Sequence, residues 1–336
     1  MNKILYIGNN LTKKSNYNST LTTLSNLLKC EGFEVIISSN KKNKFYRLFA
    51  MCMAVVKNNK IDFILIDTFS TTNFYYAYFT SQLARFFKIP YIPILHGGNL
   101  PNRLHTSPRM AKMIFNNSKI NVVPSNYLKN AFEAEGYETL LIPNTIEINQ
   151  YKFNERIDFK PMILWVRAFD KTYNPEMAVK VLYELKKDFL EAKLCMIGPE
   201  KDETLELTKE LILKLSLEDS VEITGVLPKE EWHKKSEEFD IFINTTNFDN
   251  TPLSLIESMA LGLPIISTKV GGIPFLIDDG KDGVLVDKDD VVGMANAIKN
   301  YIENPIKTNK ISNKARHKVE KFDWNYIKNK WIKVLS

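Results

Sequence analysis

Short runs of apolar residues alternate with amphipathic stretches along the first half of the chain. The runs predict strands, and the stretches between most of them predict helices. Because the runs are continuously apolar, both faces of each strand are expected to be covered, which indicates a parallel sheet. The predicted strands are Ile4–Ile7, Glu34–Ser38, Phe63–Ile66, Tyr91–Leu95, Ile120–Val123 and Thr139–Ile142.

The same alternation restarts in the second half, after the polar stretch IPNTIEINQYKFNERIDFKP, which has no clear period and predicts an interdomain linker. The length of 336 residues also favours two domains. We therefore predict two doubly wound α/β domains with the carboxyl ends of their strands facing a cleft, where such folds bind ligands. The predicted strands are Met162–Val166, Leu194–Ile197, Val221–Thr224, Ile241–Asn244, Ile265–Ser267 and Val284–Val286, with helices near 175–188, 202–216, 229–237, 252–261 and 289–302.

The composition is that of a globular protein, with 44% hydrophobic and 25% charged residues. No run approaches the roughly 18 apolar residues of a membrane span, and the N-terminal apolar run is too short for a signal peptide. The three cysteines, Cys30, Cys52 and Cys195, are scattered and lack metal-ligand spacing. They indicate buried thiols in a reducing compartment, so a cytoplasmic location is expected.

The charge is unevenly distributed. Residues 1–152 hold 18 Lys and Arg against 8 Asp and Glu, a net charge of +10, whereas residues 153–336 hold 27 against 31, a net charge of −4. The basic half is expected to meet an anion such as a membrane surface, an acidic glycan or a phosphate. The alternative is a Lys-rich chain with no specific anion. Nucleic acid is not expected, because no recognisable binding module accompanies the charge.

The segment KNKFYRLFAMCMAVVKNNK, residues 42–60, is basic at both ends and apolar in the middle. One helical stripe of it predicts a core-facing helix. Additional apolar residues widen the stripe, so contact with a membrane surface is the alternative. The stripe comprises Phe45, Leu48, Phe49, Cys52, Val55 and Val56, and the residues that widen it are Tyr46, Met51 and Met53.

The stretch DNTPLSLIESMALGLP, Asp249 to Pro264, holds two carboxylates eight residues apart. Thr251 suits a helix N-cap and Pro252 the first helical position, so a helix is predicted to begin there. Its first-turn N–H groups, around Leu253 to Leu255, would point at an anion such as a diphosphate. Glu257, in the second turn, would accept two ribose hydroxyls. The alternative, a surface carboxylate, is disfavoured by its apolar neighbours.

Other polar residues directly follow predicted strands of the second half. Arg167 follows Met162–Val166, and Lys171 lies four residues further on. Cations there would neutralise a diphosphate leaving group, although surface solvation is an equal alternative for Lys171. Gly271 and Gly272 follow the strand Ile265–Ser267 and would allow close approach of a ligand, or simply form a turn.

In the first half, HGGNLP follows the strand Tyr91–Leu95 and places His96 at a strand end, where a polar contact in the cleft is expected. The alternative is an ordinary loop histidine. The loop after the first strand starts at Gly8 and lacks GxGxxG, so binding of a dinucleotide in the manner of a dehydrogenase is poorly supported.

Taken together, these residues resemble glycosyltransferase family 4, whose two-Rossmann-domain architecture is called GT-B. The resemblance is most specific over residues 239–286, FDIFINTTNFDNTPLSLIESMALGLPIISTKVGGIPFLIDDGKDGVLV. The family's E-x7-E pair appears as Asp249 and Glu257, with the shorter Asp in the first place. IPNTIEINQYKF resembles the family's linker entry, PSNYLKNAF the helix before it, and FDWNYIKNKW the terminal helix.

The resemblance implies three parts. Residues 1–152 would form a Rossmann-like acceptor-binding domain, 153–318 a donor-binding domain, and 319–336 a helix that returns to the first domain. A hexose-type sugar would move, with retention of configuration and without a metal or cofactor, from a UDP- or GDP-linked donor to a glycan or lipid-linked acceptor. Polysaccharide or glycolipid synthesis near the inner face of the membrane would be the setting.

The resemblance also assigns roles to residues. Glu257 would hold the ribose, Asp249 the hydroxyls of the transferred sugar, Arg167 and Lys171 the diphosphate, and His96 would approach the reacting carbon. The catalytic candidates are thus His96, Arg167 and Asp249. The remaining donor-binding candidates are Gly8, Lys171, Asn250, Thr251, Pro252, Leu253, Ser254, Glu257, Gly271 and Gly272, and the acceptor-binding candidates are Gly97, Gly98, Asn99 and Arg103.

Two other functions fit the same residues. A sugar-nucleotide epimerase of this fold would convert the nucleotide-sugar without an acceptor. A non-catalytic subunit would bind the nucleotide-sugar and transfer nothing, although the combination of Arg167, Glu257 and His96 argues against it.

Overall fold

The computed structural model describes residues 2–10 and 20–336 of the chain. Contacts between residues divide it into two compact units. The first unit comprises residues up to Thr145 together with Trp324–Ser336, and the second comprises Ile146–Asp323. Most of the loop predicted after the first strand lies outside the described residues.

The first unit is built on a six-stranded parallel sheet with the strand order β2-β1-β3-β4-β5-β6. The strands β1, β3 and β4 are buried along almost their whole length, which explains their continuously apolar sequence. The strands are β1 Lys3–Ile7, β2 Glu34–Ser38, β3 Phe63–Thr68, β4 Tyr91–Leu95, β5 Asn121–Val123 and β6 Thr139–Leu141. The helices are α1 Thr20–Cys30, α2 Lys44–Lys57, α3 Asn73–Phe86, α4 Leu100–Thr106, α5 Pro108–Phe115 and α6 Asn126–Ala134.

The second unit has its own six-stranded parallel sheet, with the order β12-β11-β10-β7-β8-β9. Its strands are β7 Met162–Val166, β8 Lys193–Ile197, β9 Val221–Gly225, β10 Ile241–Asn244, β11 Ile265–Thr268 and β12 Val284–Val286. Its helices are α7 Pro175–Leu185, α8 Thr204–Lys214, α9 Lys229–Lys235, α10 Leu253–Ala260, α11 Ile273–Leu276, α12 Val291–Glu303 and α13 Pro305–Glu320. The two parallel sheets with flanking helices confirm the predicted α/β class with two doubly wound domains.

The division between the units differs from the predicted boundaries at residues 152 and 318. Ile146 and Tyr151 are buried in the core of the second unit, so the chain enters that unit before residue 152. Helix α13, which the alternation did not predict, keeps the chain in the second unit up to Asp323. A last helix, α14 Trp324–Val334, belongs to the first unit, where the Trp324 indole N–H donates to Glu31 Oε1 at 3.0 Å.

The predicted core-facing stripe of α2 is wrong in part. The buried residues of the helix are Arg47, Met51 and Val55, whereas Phe45 and Phe49, which belong to the predicted stripe, are exposed. The Arg47 guanidinium is held by backbone and side-chain oxygens within the unit, among them Lys41 O at 2.6 Å. That set of partners turns the Arg47 side of the helix toward the core and leaves the phenylalanine side in solvent.

None of the helices described between residues 2 and 336, leaving out 11–19, has both the length and the apolar character needed to cross a membrane. The cysteines among the described residues, Cys30, Cys52 and Cys195, all carry free thiols. Cys195 is buried and Cys52 half-buried, whereas Cys30 is exposed, so the prediction of buried thiols is wrong for Cys30.

Candidate active site

The carboxyl edge of the second sheet carries an ion pair between Arg167 and Asp249. Arg167 directly follows β7, and its guanidinium contacts Asp249 Oδ2 and donates to Asn244 Oδ1 at 3.2 Å. Asn244 ends β10 and in turn donates to Ser267 Oγ of β11 at 2.9 Å. Because β7, β10 and β11 are neighbours in the sheet, their ends hold the guanidinium in one place. The structure thus brings together two predicted site residues that lie 82 positions apart.

Asp249 is engaged through both of its oxygens. While Oδ2 contacts Arg167, Oδ1 accepts the backbone N–H of Asn250 at 2.7 Å. A carboxylate offers about four lone-pair positions, so these contacts leave room for a further donor such as a hydroxyl. The side chain is therefore fixed in orientation while retaining the capacity to bind.

Gly271 and Gly272 pack against the backbone of the loop that contains Asp249. The Gly272 N–H donates to Asp249 O at 2.9 Å. A Cβ atom on Gly271 would lie 2.0 Å from Asp249 O, and one on Gly272 would lie 2.2 Å from Asn250 O. Gly271 also has a φ of +53°, in the left-handed region that favours glycine. In this structure the glycine pair is required for loop-to-loop packing that positions Asp249 and Asn250.

Helix α10 begins one residue later than predicted. Pro252 is the N-cap, with an extended ψ of 122°, and Leu253 is the first helical residue, so the prediction of Thr251 as N-cap is wrong. The first-turn N–H groups still belong to Leu253, Ser254 and Leu255, which have no partner within the helix. The Ser254 hydroxyl is buried and has no hydrogen-bond partner among the described residues. This helix start therefore offers several donors for an anion.

Glu257 lies further along α10, with two partners on one carboxylate oxygen. The Tyr151 hydroxyl donates to Glu257 Oε1 at 2.8 Å, and Lys229 Nζ lies 3.4 Å from the same oxygen. Burial raises the pKa of Glu257, and the charge of Lys229 and the hydrogen bond from Tyr151 oppose that rise. The net direction is upward, because desolvation of the carboxylate outweighs its two partners.

The two partners of this carboxylate, Tyr151 and Lys229, also contact each other. Lys229 Nζ lies 4.5 Å from the centre of the Tyr151 ring, and the centre of the His233 ring lies 4.7 Å from that of Tyr151. Burial, with the nearby charge of Lys229, lowers the pKa of His233 to about 3, so this imidazole stays neutral at physiological pH. The sequence prediction missed Tyr151, Lys229 and His233, because Tyr151 lies in the stretch taken as linker and Lys229 opens a run of ordinary surface charges.

Lys171 has an acidic partner of its own in the structure. Its side chain is exposed, and its ammonium group pairs with Glu203 at 2.5 Å. The hydrogen bond from Lys171 to Glu203 raises the pKa of the lysine. Of the two predicted diphosphate cations, only Arg167 is joined to Asp249 here.

The first unit holds a second cluster, around His96. His96 Nε2 lies 2.9 Å from Asp67 Oδ1, and the Tyr6 hydroxyl donates to the same oxygen at 2.9 Å. Because a carboxylate only accepts, the ring hydrogen is assigned to Nε2, which leaves Nδ1 available as an acceptor. The imidazole stacks on Phe69 at 5.3 Å. The arrangement can orient a histidine as a hydrogen-bond acceptor or proton acceptor.

Sheet register explains this cluster. Asp67 pairs with Ile94 across β3 and β4, so the residue that follows β4 lies beside the end of β3. The sequence prediction included His96 but missed Asp67 and Tyr6. An acidic residue within the buried run FILIDT was the signal that could have shown Asp67. Burial, together with Asp67, raises the pKa of Tyr6, which therefore acts as a neutral donor.

The other predicted residues of the first unit serve local packing in the structure. The Gly8 N–H donates to Ser38 O at 2.7 Å, and a Cβ atom on Gly97 would lie 2.8 Å from Ser70 N. Arg103 Nε donates to Ser70 O at 3.0 Å. The guanidinium of Arg103 also packs on the Phe74 and Tyr75 rings, whereas Gly98 and Asn99 lie at the start of α4, with Asn99 exposed. A role of these residues toward a ligand stays a prediction.

Among residues 2–10 and 20–336, no three or more His, Cys, Asp or Glu side chains come together as a group that could hold a metal ion.

Several known proteins resemble this chain. The amylovoran biosynthesis glycosyltransferase AmsK of Erwinia amylovora is 35% identical over 85 residues, 24% of this chain and 21% of that protein. The first curated relatives are matched over about a fifth to a third of their own length (22%, 29% and 31%).

Two solved structures share the whole fold. Sucrose-phosphate synthase from Thermosynechococcus elongatus has a TM-score of 0.85 at 17% identity and covers 99% of this chain and 98% of its own. HepE of Anabaena, in complex with UDP and glucose, has a TM-score of 0.78 at 16% identity and covers 100% and 99%. At these identities the likeness shows the fold alone.

The profile of one family, described as glycosyl transferases group 1, matches residues 147–318. That range holds β7 to β12, the Arg167–Asp249 pair and all of α10. Since the match covers more than half of the 336 residues, the chain belongs to the group 1 glycosyl transferases.

Proposed function

We propose that the protein is a retaining glycosyltransferase that moves a hexose-type sugar from a UDP- or GDP-linked donor to a glycan or lipid-linked acceptor. Polysaccharide or glycolipid biosynthesis in the cytoplasm is the proposed setting. The observation that carries the proposal is the Arg167–Asp249 pair beside the first turn of α10, with Glu257 further along the same helix. Membership of group 1, and the UDP and glucose bound by the structurally similar HepE, support it.

The proposed roles follow from charge. In the transfer, the bond between the anomeric carbon and the diphosphate oxygen breaks, and the acceptor oxygen takes the place of that diphosphate oxygen. Negative charge develops on the diphosphate, and Arg167 and the first-turn N–H groups of α10 are suited to stabilise it. The proton of the acceptor hydroxyl leaves with the product diphosphate or through a base such as His96.

The carboxylates recognise the donor in this proposal. Glu257 binds the two ribose hydroxyls. In the free protein the Tyr151 hydroxyl donates to Glu257 Oε1, as a ribose hydroxyl would in the complex. Asp249 binds a hydroxyl of the transferred sugar. Retention of configuration rests on the resemblance to family 4. Transfer without a metal is proposed because the guanidinium and the helix start can themselves supply the positive charge that the diphosphate requires.

The test is donor binding followed by transfer. Saturating UDP or GDP is expected to stabilise the protein by about 2.7 kcal/mol at a hundredfold excess over Kd. Arg167→Ala is expected to lower the transfer rate by about 10²–10³-fold, as removal of a preorganised charge does, whereas Lys171→Ala changes it little. Normal turnover in a folded Arg167→Ala variant would refute the site.

Product analysis separates the alternatives. NMR of the product shows whether the anomeric configuration is retained, and a chelator in the assay tests the independence from metal. Conversion of the nucleotide-sugar in the absence of any acceptor would instead assign an epimerase. Binding of the donor without any turnover over a broad acceptor panel would assign a non-catalytic subunit.

A further inference from the structure

Helix α2 presents a large apolar surface to solvent. Phe45 is 85% exposed, Tyr46 70% and Phe49 66%, although all three are large aromatic side chains. Successive helical residues are rotated by about 100°, so these three share one side of α2 with Met53 and Val56. We call Phe45, Tyr46, Phe49, Met53 and Val56 the outward face of α2.

The outward face lacks the polar residues that a solvent-facing helix surface normally carries. The opposite side of α2 is already occupied, because Met51 and Val55 pack in the core of the first unit. The helix thus carries apolar residues on both sides, with Arg47 beside those of the inner side, and only the inner side has a partner within the described part of the chain. A helix with this pattern requires a second apolar medium or surface on its outward side.

Positive charge surrounds this face. Lys41, Lys42 and Lys44 stand at the amino end of α2, Lys57 and Lys60 at its carboxyl end, and all five are exposed. No Asp or Glu occurs between residues 41 and 60. The outward face is therefore an apolar strip between two groups of cations.

We propose that the outward face of α2 binds the surface of an anionic lipid bilayer. Aromatic residues favour the interface between headgroups and acyl chains, where Phe45, Tyr46 and Phe49 would lie about 5–10 Å deep. The flanking lysines then reach anionic headgroups. A second copy of the chain fits poorly on this face, because two lysine-flanked surfaces without any acidic residue would repel each other. This proposal does not depend on sugar transfer.

The test is sedimentation of the full chain with vesicles, without donor or acceptor. We expect binding to vesicles that contain phosphatidylglycerol and none to pure phosphatidylcholine. Salt at 0.5 M should weaken binding, because it shortens the screening length to below about 8 Å. The double variant Phe45→Ser/Phe49→Ser and the triple variant Lys41→Gln/Lys42→Gln/Lys44→Gln are each expected to lose at least tenfold in affinity.

A matched control is available in the second unit. Leu190 is 79% exposed, so Leu190→Ser removes a comparably exposed apolar side chain that does not belong to α2, and this variant is expected to bind as the wild type does. Circular dichroism and thermal unfolding check that the variants remain folded. Absence of wild-type binding, or equal binding by the double variant, overturns the proposal. So does a wild-type dimer that the double variant turns into a monomer, or equal binding to both vesicle types.

Discussion

Glu257 has Tyr151 and Lys229 on a single carboxylate oxygen and still has a raised pKa. Below the pKa of the unfolded chain, both the folded and the unfolded state hold the proton, and burial costs little. As the pH rises through the folded pKa, the folded state must bury a charge and loses stability. The carboxylate that we propose binds the donor thus lowers the stability of the free protein at neutral pH.

We therefore expect Glu257→Gln to stabilise the free protein at pH 7 by roughly 0.5–2 kcal/mol while abolishing donor binding. The gain should shrink toward pH 4, and thermal unfolding across this range measures it. Glu203→Gln is the control, because Glu203 is exposed, pairs with Lys171 and has a lowered pKa, so its loss should not stabilise. A destabilised Glu257→Gln variant at pH 7 would contradict this account.

Asp67 acts on His96 through a single oxygen that Tyr6 also contacts. Asp67→Asn should release the preference for hydrogen on Nε2, because an amide can donate to that nitrogen as well as accept from it. We expect turnover to fall by about 10²-fold. Nitrogen NMR of the imidazole, recorded without substrates, should show a changed tautomer. Glu135→Gln, beside the exposed His105, is the matched control, and an unchanged His96 spectrum in Asp67→Asn would refute the assignment.

At the residue scale the sequence could predict single positions but not their partners. Arg167 and His96 stood out because each directly follows an apolar strand, and Glu257 because it lies on a predicted helix. Tyr151 meets Glu257 across 106 positions, and Tyr6 meets Asp67 across 61. No local pattern encodes such contacts, since they arise from packing and sheet register.

At the scale of elements, the turn between β11 and α11 controls the loop before α10. Gly271→Ala would place a Cβ 2.0 Å from Asp249 O at a φ of +53°. The left-handed conformation alone costs an alanine about 1–2 kcal/mol, and displacing the neighbouring backbone should add about 1–3 kcal/mol. Chemical denaturation measures the loss in the free energy of unfolding. The affinity for the donor should also fall in this variant.

Gly280→Ala is the matched control for that prediction. Gly280 has a φ of +71°, but a Cβ there would meet nothing within 4 Å. The difference between the two variants therefore isolates the contact with the Asp249 loop. Equal costs in the two variants would show that this contact does not constrain the loop.

The pattern of apolar runs predicted the strands closely, because parallel strands buried on both faces have a simple signature. It failed for α13, whose buried residues include Thr308 and Ser312, so the helix is too polar to stand out. It failed for α2 in another way. That helix carries apolar residues on both sides, and periodicity alone could not show which side packs in the core.

At the scale of the whole molecule, the two units divide the charge more sharply than the two halves of the sequence do. The first unit, residues 1–145 and 324–336, has 20 Lys and Arg against 7 Asp and Glu, a net charge of +13. The second, residues 146–323, has 25 against 32, a net charge of −7. The difference from the sequence estimate comes mainly from three lysines of α14, which belong to the first unit.

Helix α14 is tied into the first unit by burial of Trp331 and by a hydrogen bond from Asn2 to Leu335 O at 2.6 Å. We expect Trp331→Ala to destabilise that unit by about 3–5 kcal/mol, as loss of a buried aromatic side chain does. Hydrogen exchange should rise within residues 20–145 and remain unchanged within 146–323. Tyr326→Ala, on the exposed side of the same helix, should change little. An equal rise of hydrogen exchange in both units of the Trp331→Ala variant would contradict the division of the chain into two units.

The discontinuity of the first unit has a consequence for biosynthesis. A ribosome adds about 5–20 residues per second, so the 178 residues of the second unit separate the emergence of Thr145 from that of Trp324 by roughly 9–36 s. During that interval the second unit, which is continuous, can complete its fold. The first unit lacks α14 until that helix is synthesised. Until then, the surface that Trp324 and Trp331 cover in the finished protein is exposed to solvent. We therefore expect the unit whose synthesis begins first to be the second to complete its fold.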